Sequence, residues 1–447
     1  MEKLMGGNTT NPFLDKLASN KTTFSMVVVI LSCVFIMLKS DIGLNGFQVD
    51  SESLVVDPIL AVINDFDYDH EHFHLGRLLS INGDNDYYRW LYTSILDTDP
   101  CLNKYDYAYE VYDSQIGLQG IVFCAITLLI KTKLVITIER WLCCFLSITT
   151  VALIAKQLHK HYCGLFAFAF WLTSLISPYF AGFSPNLYWV LFTFYVPTLL
   201  SLLCITNEKH RPILYFLYFL SVVIKCLCGF EYLSSILISG EIFLVIELIT
   251  NKNKTKKTII CILFSGLCML LGFFAVALYQ SFLYGNNDLA EGLSYFVRHL
   301  VEKRTYGDPS SFPVSMYEET IQESMNASVW QVLGMYFGRL GYGSLMSIIY
   351  VLALIVIVID KIIFKKDIKV QFSLLLLQMV SVLSWLILAK SHSYIHTHIN
   401  FIIFDLGYTQ SCLFCILKTL SNHIKIEFLG NDSSSLSKIT CELRFIR

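Results

Sequence analysis

Charge is scarce in this chain: Asp, Glu, Lys and Arg make up only 15% of its 447 residues, against 55% hydrophobic residues. A soluble protein of that length does not carry so many apolar runs of spanning length, each of which needs about 20 residues. A soluble globular class is therefore excluded, and the chain reads as an all-α polytopic membrane protein. Several chemistries are missing too. The sequence has no P-loop, no G-x-S-x-G, no dinucleotide fingerprint and no H-E-x-x-H. Nucleic-acid binding has no support, because the longest polar loop is acidic and the basic loops are short. No internal repeat is evident. The first apolar run, Thr22–Leu38, lacks a small-residue cleavage site and reads as a signal anchor.

The fourteen cysteines do not form a disulfide framework. Most lie inside apolar runs, where thiols behave as small apolar groups, and only Cys101 sits clearly in a large polar loop. Cys412 and Cys415 have the spacing of a redox or zinc pair but lie in an apolar run without nearby acidic or histidine ligands.

Topology follows from where the positive charges fall. Lys3, Lys16 and Lys21 precede the first span and place the N-terminus in the cytoplasm. The next segment, 40–137, is then external. From Asp41 to Asp113 it holds fifteen acidic residues against three Lys or Arg. Ile116–Ile130 is apolar but only fifteen residues long. If it spans, every later basic loop is inverted. If it is re-entrant or in-plane, Lys156/Lys160, Lys209/Arg211, Lys252–Lys257 and Lys361–Lys369 all become cytoplasmic. The second map obeys the positive-inside rule at each loop. It gives ten spans, near 22–39, 138–156, 162–180, 186–205, 212–229, 231–250, 258–280, 342–360, 370–389 and 400–420. Residues 1–420 then form one membrane domain with external loops 40–137 and 281–341, and 421–447 form a polar cytoplasmic tail.

Two stretches on the external side carry candidate chemistry. Gly46–Asp65 opens with Asp50 and Glu52, and Leu54, Val55, Ile59, Leu60, Val62 and Ile63 follow at roughly helical spacing. That pattern suits a juxtamembrane helix with its apolar side in the bilayer and its acidic start in water; the same acids also suit capping and dipole roles. The second stretch is Lys390–Asn400, KSHSYIHTHIN. Lys390, His392, His396 and His398 crowd one helix end and suit a cationic, hydrogen-bonding cradle for a lipid phosphate. They also suit headgroup snorkelling, and the histidine spacing is compatible with zinc. Were the Asp50/Glu52 pair to share an ion, hard acidic ligands favour Mg²⁺ or Mn²⁺.

Intramembrane ionisable residues carry a functional hypothesis by default. Lys225 and Glu231 flank the turn CLCGFEY, where they are expected either to pair or to serve a site, and Glu241 and Glu247 follow in the next span. Arg298, His299, Lys303 and Arg304 form an amphipathic basic stretch, and Arg339 stands alone among glycines.

The order of these features resembles the GT-C superfamily of membrane glycosyltransferases. The strings that carry the likeness are VDSESL at 49–54, YDSQIGLQG at 112–120, SPNLYWVLFTFYVP at 184–197, CGFEY at 228–232 and AKSHSYIHTHIN at 389–400. The chain departs from better-known members in having no large soluble C-terminal domain and no WWDYG-type motif. The resemblance implies a GT-C-like core, a polyprenyl-phosphate-linked sugar donor and a glycan or lipid-linked acceptor. It also implies action on the non-cytoplasmic face of a bacterial inner membrane, in cell-surface polysaccharide assembly. It assigns Asp50 as catalytic base, with Glu52 the alternate, and places Lys390, His392, His396, His398, Arg339 and Glu231 on the substrate or phosphate side. Two other classes remain open: a transporter or flippase using Lys225, Glu231 and Glu241, and an assembly subunit without activity.

Overall fold

The computed structural model describes residues 21–43, 45–66, 72–80, 107–308, 316–338 and 345–423. Helices α1 (Lys21–Gly43) and α2 (Asn45–Ile63) are followed by strands β1 (Gly76–Ser80) and β2 (Tyr107–Val111). Then come α3 (Leu118–Leu129), α4 (Leu134–His161), α5 (Gly164–Ile176), α6 (Pro178–Phe183), α7 (Phe192–Thr206), α8 (Arg211–Cys228), α9 (Leu233–Thr250) and α10 (Thr255–Tyr284). The remainder is α11 (Leu289–Phe296), a π-helical turn (Val297–Glu302), α12 (Met316–Asn326), α13 (Val329–Phe337), α14 (Leu345–Ile362), α15 (Lys369–Leu388), α16 (Lys390–Ile395), a 3₁₀ segment (Asn400–Leu406) and α17 (Tyr408–His423).

The centre of the bundle is α9, which packs on α7, α10 and α15, and α4, which packs on α1, α5 and α7. Outward faces stay apolar: Leu263, Leu267, Leu270 and Phe274 of α10 are exposed, as are Leu354, Ile355 and Val358 of α14. Water disfavours such a surface and lipid does not, so the architecture fits an integral membrane protein. Among the described residues, five helices are long and apolar enough to cross a bilayer, and six if the 3₁₀ segment and α17, bent by 47°, count as one span.

The ten expected runs all contain helix, but not all as single rods. The run at 162–180 breaks at Ser177, because the residue before a proline is driven out of the helical region. Ser177 instead accepts a bond from Phe180 N and caps α6, with Pro178 at its first turn. The run at 186–205 becomes helical only at Phe192, since Asn186 Oδ1 accepts from Tyr188 N and Trp189 N and holds a turn. Ile116–Ile130 contributes α3, whose twelve residues are too few for a span.

The ends of the bundle differ in chemistry. Glu208 pairs with Lys254 and Lys257, each at 3.2 Å, so the 207–210 turn meets the 251–257 turn. Lys160 and His161 at the end of α4 sit in the same electrostatic neighbourhood as Lys254. The opposite end collects the start of α4, the ends of α8, α10 and α15, and the start of α9.

The first loop departs from expectation. Beyond the juxtamembrane helix expected there, it contains an antiparallel pair, β1 with β2, with Gly76 opposite Val111 and Ser80 opposite Tyr107. Helix α2 packs on β1 and α3, and residues 52–61 are buried on every face. Its acids therefore turn inward: Asp57 Oδ2 accepts from Leu78 N at 2.9 Å.

Candidate functional site

Glu52 is the first correction. It was expected at a water-facing helix start, yet it is 0% exposed and Arg140 of α4 is 7% exposed. Arg140 Nε donates to Glu52 Oε1 at 3.2 Å and Nη2 donates to Oε2 at 2.9 Å, a bidentate geometry. Glu52 Oε1 also accepts from Leu187 N at 3.0 Å. A carboxylate so bound is an organiser of α2, α4 and the 184–191 turn. It is not a free base. Asp50 lies on α2, two residues earlier, with its side chain outside the described residues.

The 184–191 turn leads directly into a second group. Tyr188 OH donates toward Gln115 Oε1 at 3.4 Å and Glu231 Oε1 at 3.3 Å. Arg304 Nη1 reaches Glu231 Oε1 at 3.4 Å. Pairing with Lys225 was one of two expectations for Glu231, and its ion-pair partner comes instead from the 298–304 stretch. Lys225 is buried and donates to Gly229 O at 2.6 Å. Its ammonium also lies 5.1 Å over the Phe194 ring. Among the described residues no carboxylate comes within ion-pair distance of Lys225. Gln119 Nε2 joins the two turns by donating to Tyr188 O and Cys228 O.

Two of the six described non-glycine residues with positive φ lie at these same turns. Val190 has φ 47° and Tyr232 has φ 60°, left-handed values that bulky residues rarely adopt. Such conformations persist where the surrounding structure over-determines them, typically at sites. Gly229, at φ 152°, holds a backbone that residues with a Cβ rarely adopt, and a Cβ there would also press on Gln115 Oε1 and Glu231 Oε2.

The KSHSYIHTHIN stretch reaches the site, but in an unexpected manner. Lys390 is 3% exposed, and its Nζ donates to Met325 O at 2.5 Å and Ala327 O at 2.6 Å, satisfying carbonyls at the end of α12. It is a helix-capping cation, not an open phosphate ligand. His392 N donates to Arg304 O, so the histidines are held beside Arg304. Burial, then neighbouring His396 and Arg304, hold the His392 imidazole well below its ordinary pKa, which favours the neutral ring. The His392 and His396 rings are 4.5 Å apart and those of His396 and His398 6.0 Å. Among the described residues no three His, Cys, Asp or Glu side chains group as metal ligands. Arg339 lies outside the described residues.

An apolar cavity of about 180 Å³ lies between α7 and α8, lined by residues that include Phe192, Val196, Leu200, Leu217, Ser221 and Ile224. Ser221 and Ile224 place its α8 side within one turn of Lys225.

Arg140, Glu139, Gln115, Tyr188 and Arg304 were not singled out by the sequence as binding groups, or, for Arg304, only as an undecided surface cation. Glu139 is fully buried, and among the described residues neither carboxyl oxygen has a hydrogen-bond partner. A signal did exist for the pair at 139–140: two charges inside a long apolar helix are costly unless paired or used. The chain matches no family model, no curated protein and no solved structure.

Proposed function

We propose that this chain is a GT-C-type membrane glycosyltransferase that moves a sugar from a polyprenyl-phosphate-linked donor to a glycan or lipid-linked acceptor. One observation carries the reading. The five segments whose sequences resemble that superfamily are far apart in the chain, and they adjoin one another at one end of the bundle: Glu52–Leu187, Gln119–Tyr188 and Tyr188–Glu231 join four of them, and Arg304 bridges Glu231 to His392 of the fifth.

In this reading the donor's phosphate lies at Lys225 and Arg304, where a departing phosphate needs positive charge. The cavity between α7 and α8 receives part of its isoprenoid chain. Glu231 and Tyr188 orient Arg304. Asp50 takes the proton of the acceptor hydroxyl as that oxygen attacks the sugar's anomeric carbon, and the bond from that carbon to the phosphate oxygen breaks. Glu52 positions α2 and so Asp50. The shorter apolar helices cross with the longer ones to give ten spans, with the site on the non-cytoplasmic face of a bacterial inner membrane. If Asp50 works through a metal, Mg²⁺ or Mn²⁺ fits its chemistry.

The test is transfer in proteoliposomes from a polyprenyl-phosphate-linked sugar. Asp50→Asn is expected to abolish transfer while the folded protein still retains the donor; undiminished transfer would remove the assignment.

A transporter or flippase is the second reading, and one observation favours it. Interrupted helices, with breaks at Ser177 and Gly407, meet through a Ser177–Asp405 hydrogen bond, an arrangement common at transport sites. Donor movement across the bilayer without product formation would select this reading.

A further inference from the structure

The meeting of those two breaks holds a second buried polar cluster, separate from Glu231 and Arg304. Helix α5 ends at Ile176, so its last carbonyls lack intrahelical donors and carry the negative end of the helix dipole. Lys39, from the last turns of α1, donates from Nζ to Leu175 O at 3.1 Å and to Ile176 O at 2.6 Å. On the other side of the break, the Asp405 carboxylate bonds to the Ser177 hydroxyl, and Asp405 is 2% exposed. Tyr195 OH and Gln410 Nε2 donate to the Asp405 carbonyl at 2.9 and 2.5 Å, fixing that residue's backbone. Lys39 and Asp405 lie close enough for their charges to interact, but they make no direct ion pair among the described residues.

The ammonium thus bonds two main-chain carbonyls at a helix C-terminus, and the Asp405 carboxylate, held by the Ser177 hydroxyl, acts on it through its charge. All of these are hard oxygen donors. Carbonyls at interrupted helix ends, supplemented by a carboxylate, are the usual ligands of alkali cations inside membranes. The Lys39 ammonium places one positive charge among these oxygens through its N–H donors, tethered to α1.

We propose that Leu175 O, Ile176 O, Ser177 and Asp405 form a monovalent-cation site that the Lys39 ammonium fills, and that Na⁺ or K⁺ takes this position when the ammonium is removed. The site is independent of the transferase reading, since none of its groups belongs to the Glu231–Arg304 cluster. The tether makes the native chain indifferent to the identity of the bulk cation. It also locks α1 to the break between α5 and α6.

Thermal unfolding of the full chain in detergent tests this, in NaCl, KCl or choline chloride at equal ionic strength. The wild type is expected to melt at the same temperature in all three. Lys39→Ala is expected to melt several degrees lower in choline chloride and to recover at least half of that loss in NaCl or KCl. Lys39→Ala with Asp405→Asn is expected to show no recovery. If Lys39→Ala does not fold, Lys39→Gln, which keeps one amide donor for the carbonyls, is measured in the same salts. Equal melting of the measured Lys39 variant in all three salts overturns the proposal, as does recovery that survives Asp405→Asn.

Discussion

Arg140 and Glu52, 88 residues apart, form a bidentate ion pair with almost no access to solvent. Breaking one side of such a pair leaves a buried charge alone and costs about 3–5 kcal/mol, whereas replacing both partners by apolar groups of similar size is often neutral. Glu52→Gln and Arg140→Met are each expected to lower the melting temperature strongly. The double variant Glu52→Leu/Arg140→Met is expected to recover most of the loss. Additive losses in the double-mutant cycle would mean that the pair does not act as a unit.

Glu139 is expected to show the opposite behaviour. A fully buried carboxyl costs stability when it is left without a hydrogen-bond partner, and Glu139 has none among the described residues, so Glu139→Leu is expected to raise the melting temperature. If Glu139 serves the site, transfer will fall in the same variant, the signature of a residue kept for function against stability. A variant that is both less stable and fully active would show that Glu139 has a structural partner in solution.

Asp57 gives a pH dependence with a definite sign. Burial pushes its carboxyl up to about 7, against the Leu78 N–H and Arg77, which pull it down. The folded state therefore holds this proton more tightly than the unfolded chain does. The associated stability is fully present below the ordinary value of 3.8 and is lost as pH rises through about 7. The slope for one proton is at most about 1.4 kcal/mol per pH unit. Asp57→Asn keeps an oxygen for Leu78 N–H and removes the titration. Its melting temperature is expected to gain on the wild type as pH rises from about 5 to 7.5. A constant difference over that range would show that Asp57 is already ionised in the fold.

Several of these features were legible before any coordinates. The apolar runs located the helices, and the short Ile116–Ile130 run forms a helix of only twelve residues. SPNLYW and CGFEY marked the turns that carry Tyr188 and Glu231, because Pro, Gly and Asn announce breaks in an apolar pattern. What stayed hidden was which charges turn inward. Glu52 and an exposed helix-start acid look alike in sequence, since burial of α2 depends on β1, α3 and a turn more than 130 residues away. Lys390 misled for the same reason: one lysine at a helix end reads as an interfacial cation until the carbonyls of Met325 and Ala327 are found around it. Periodicity reports the faces of one element, and a partner for a buried charge comes from another.

In the proposed function Lys225 and Arg304, with the neighbouring apolar cavity, hold the phosphate end of a lipid-linked donor. Native mass spectrometry of the purified chain with added undecaprenyl phosphate tests it most directly. The wild type is expected to retain the lipid. Lys225→Met, which keeps the side-chain length and removes the charge, is expected to weaken retention at least tenfold. Lys390→Met is expected to lower stability through its lost carbonyl bonds, with retention by the folded fraction unchanged. Undiminished retention in Lys225→Met, or a selective loss in Lys390→Met, would contradict this placement of the phosphate.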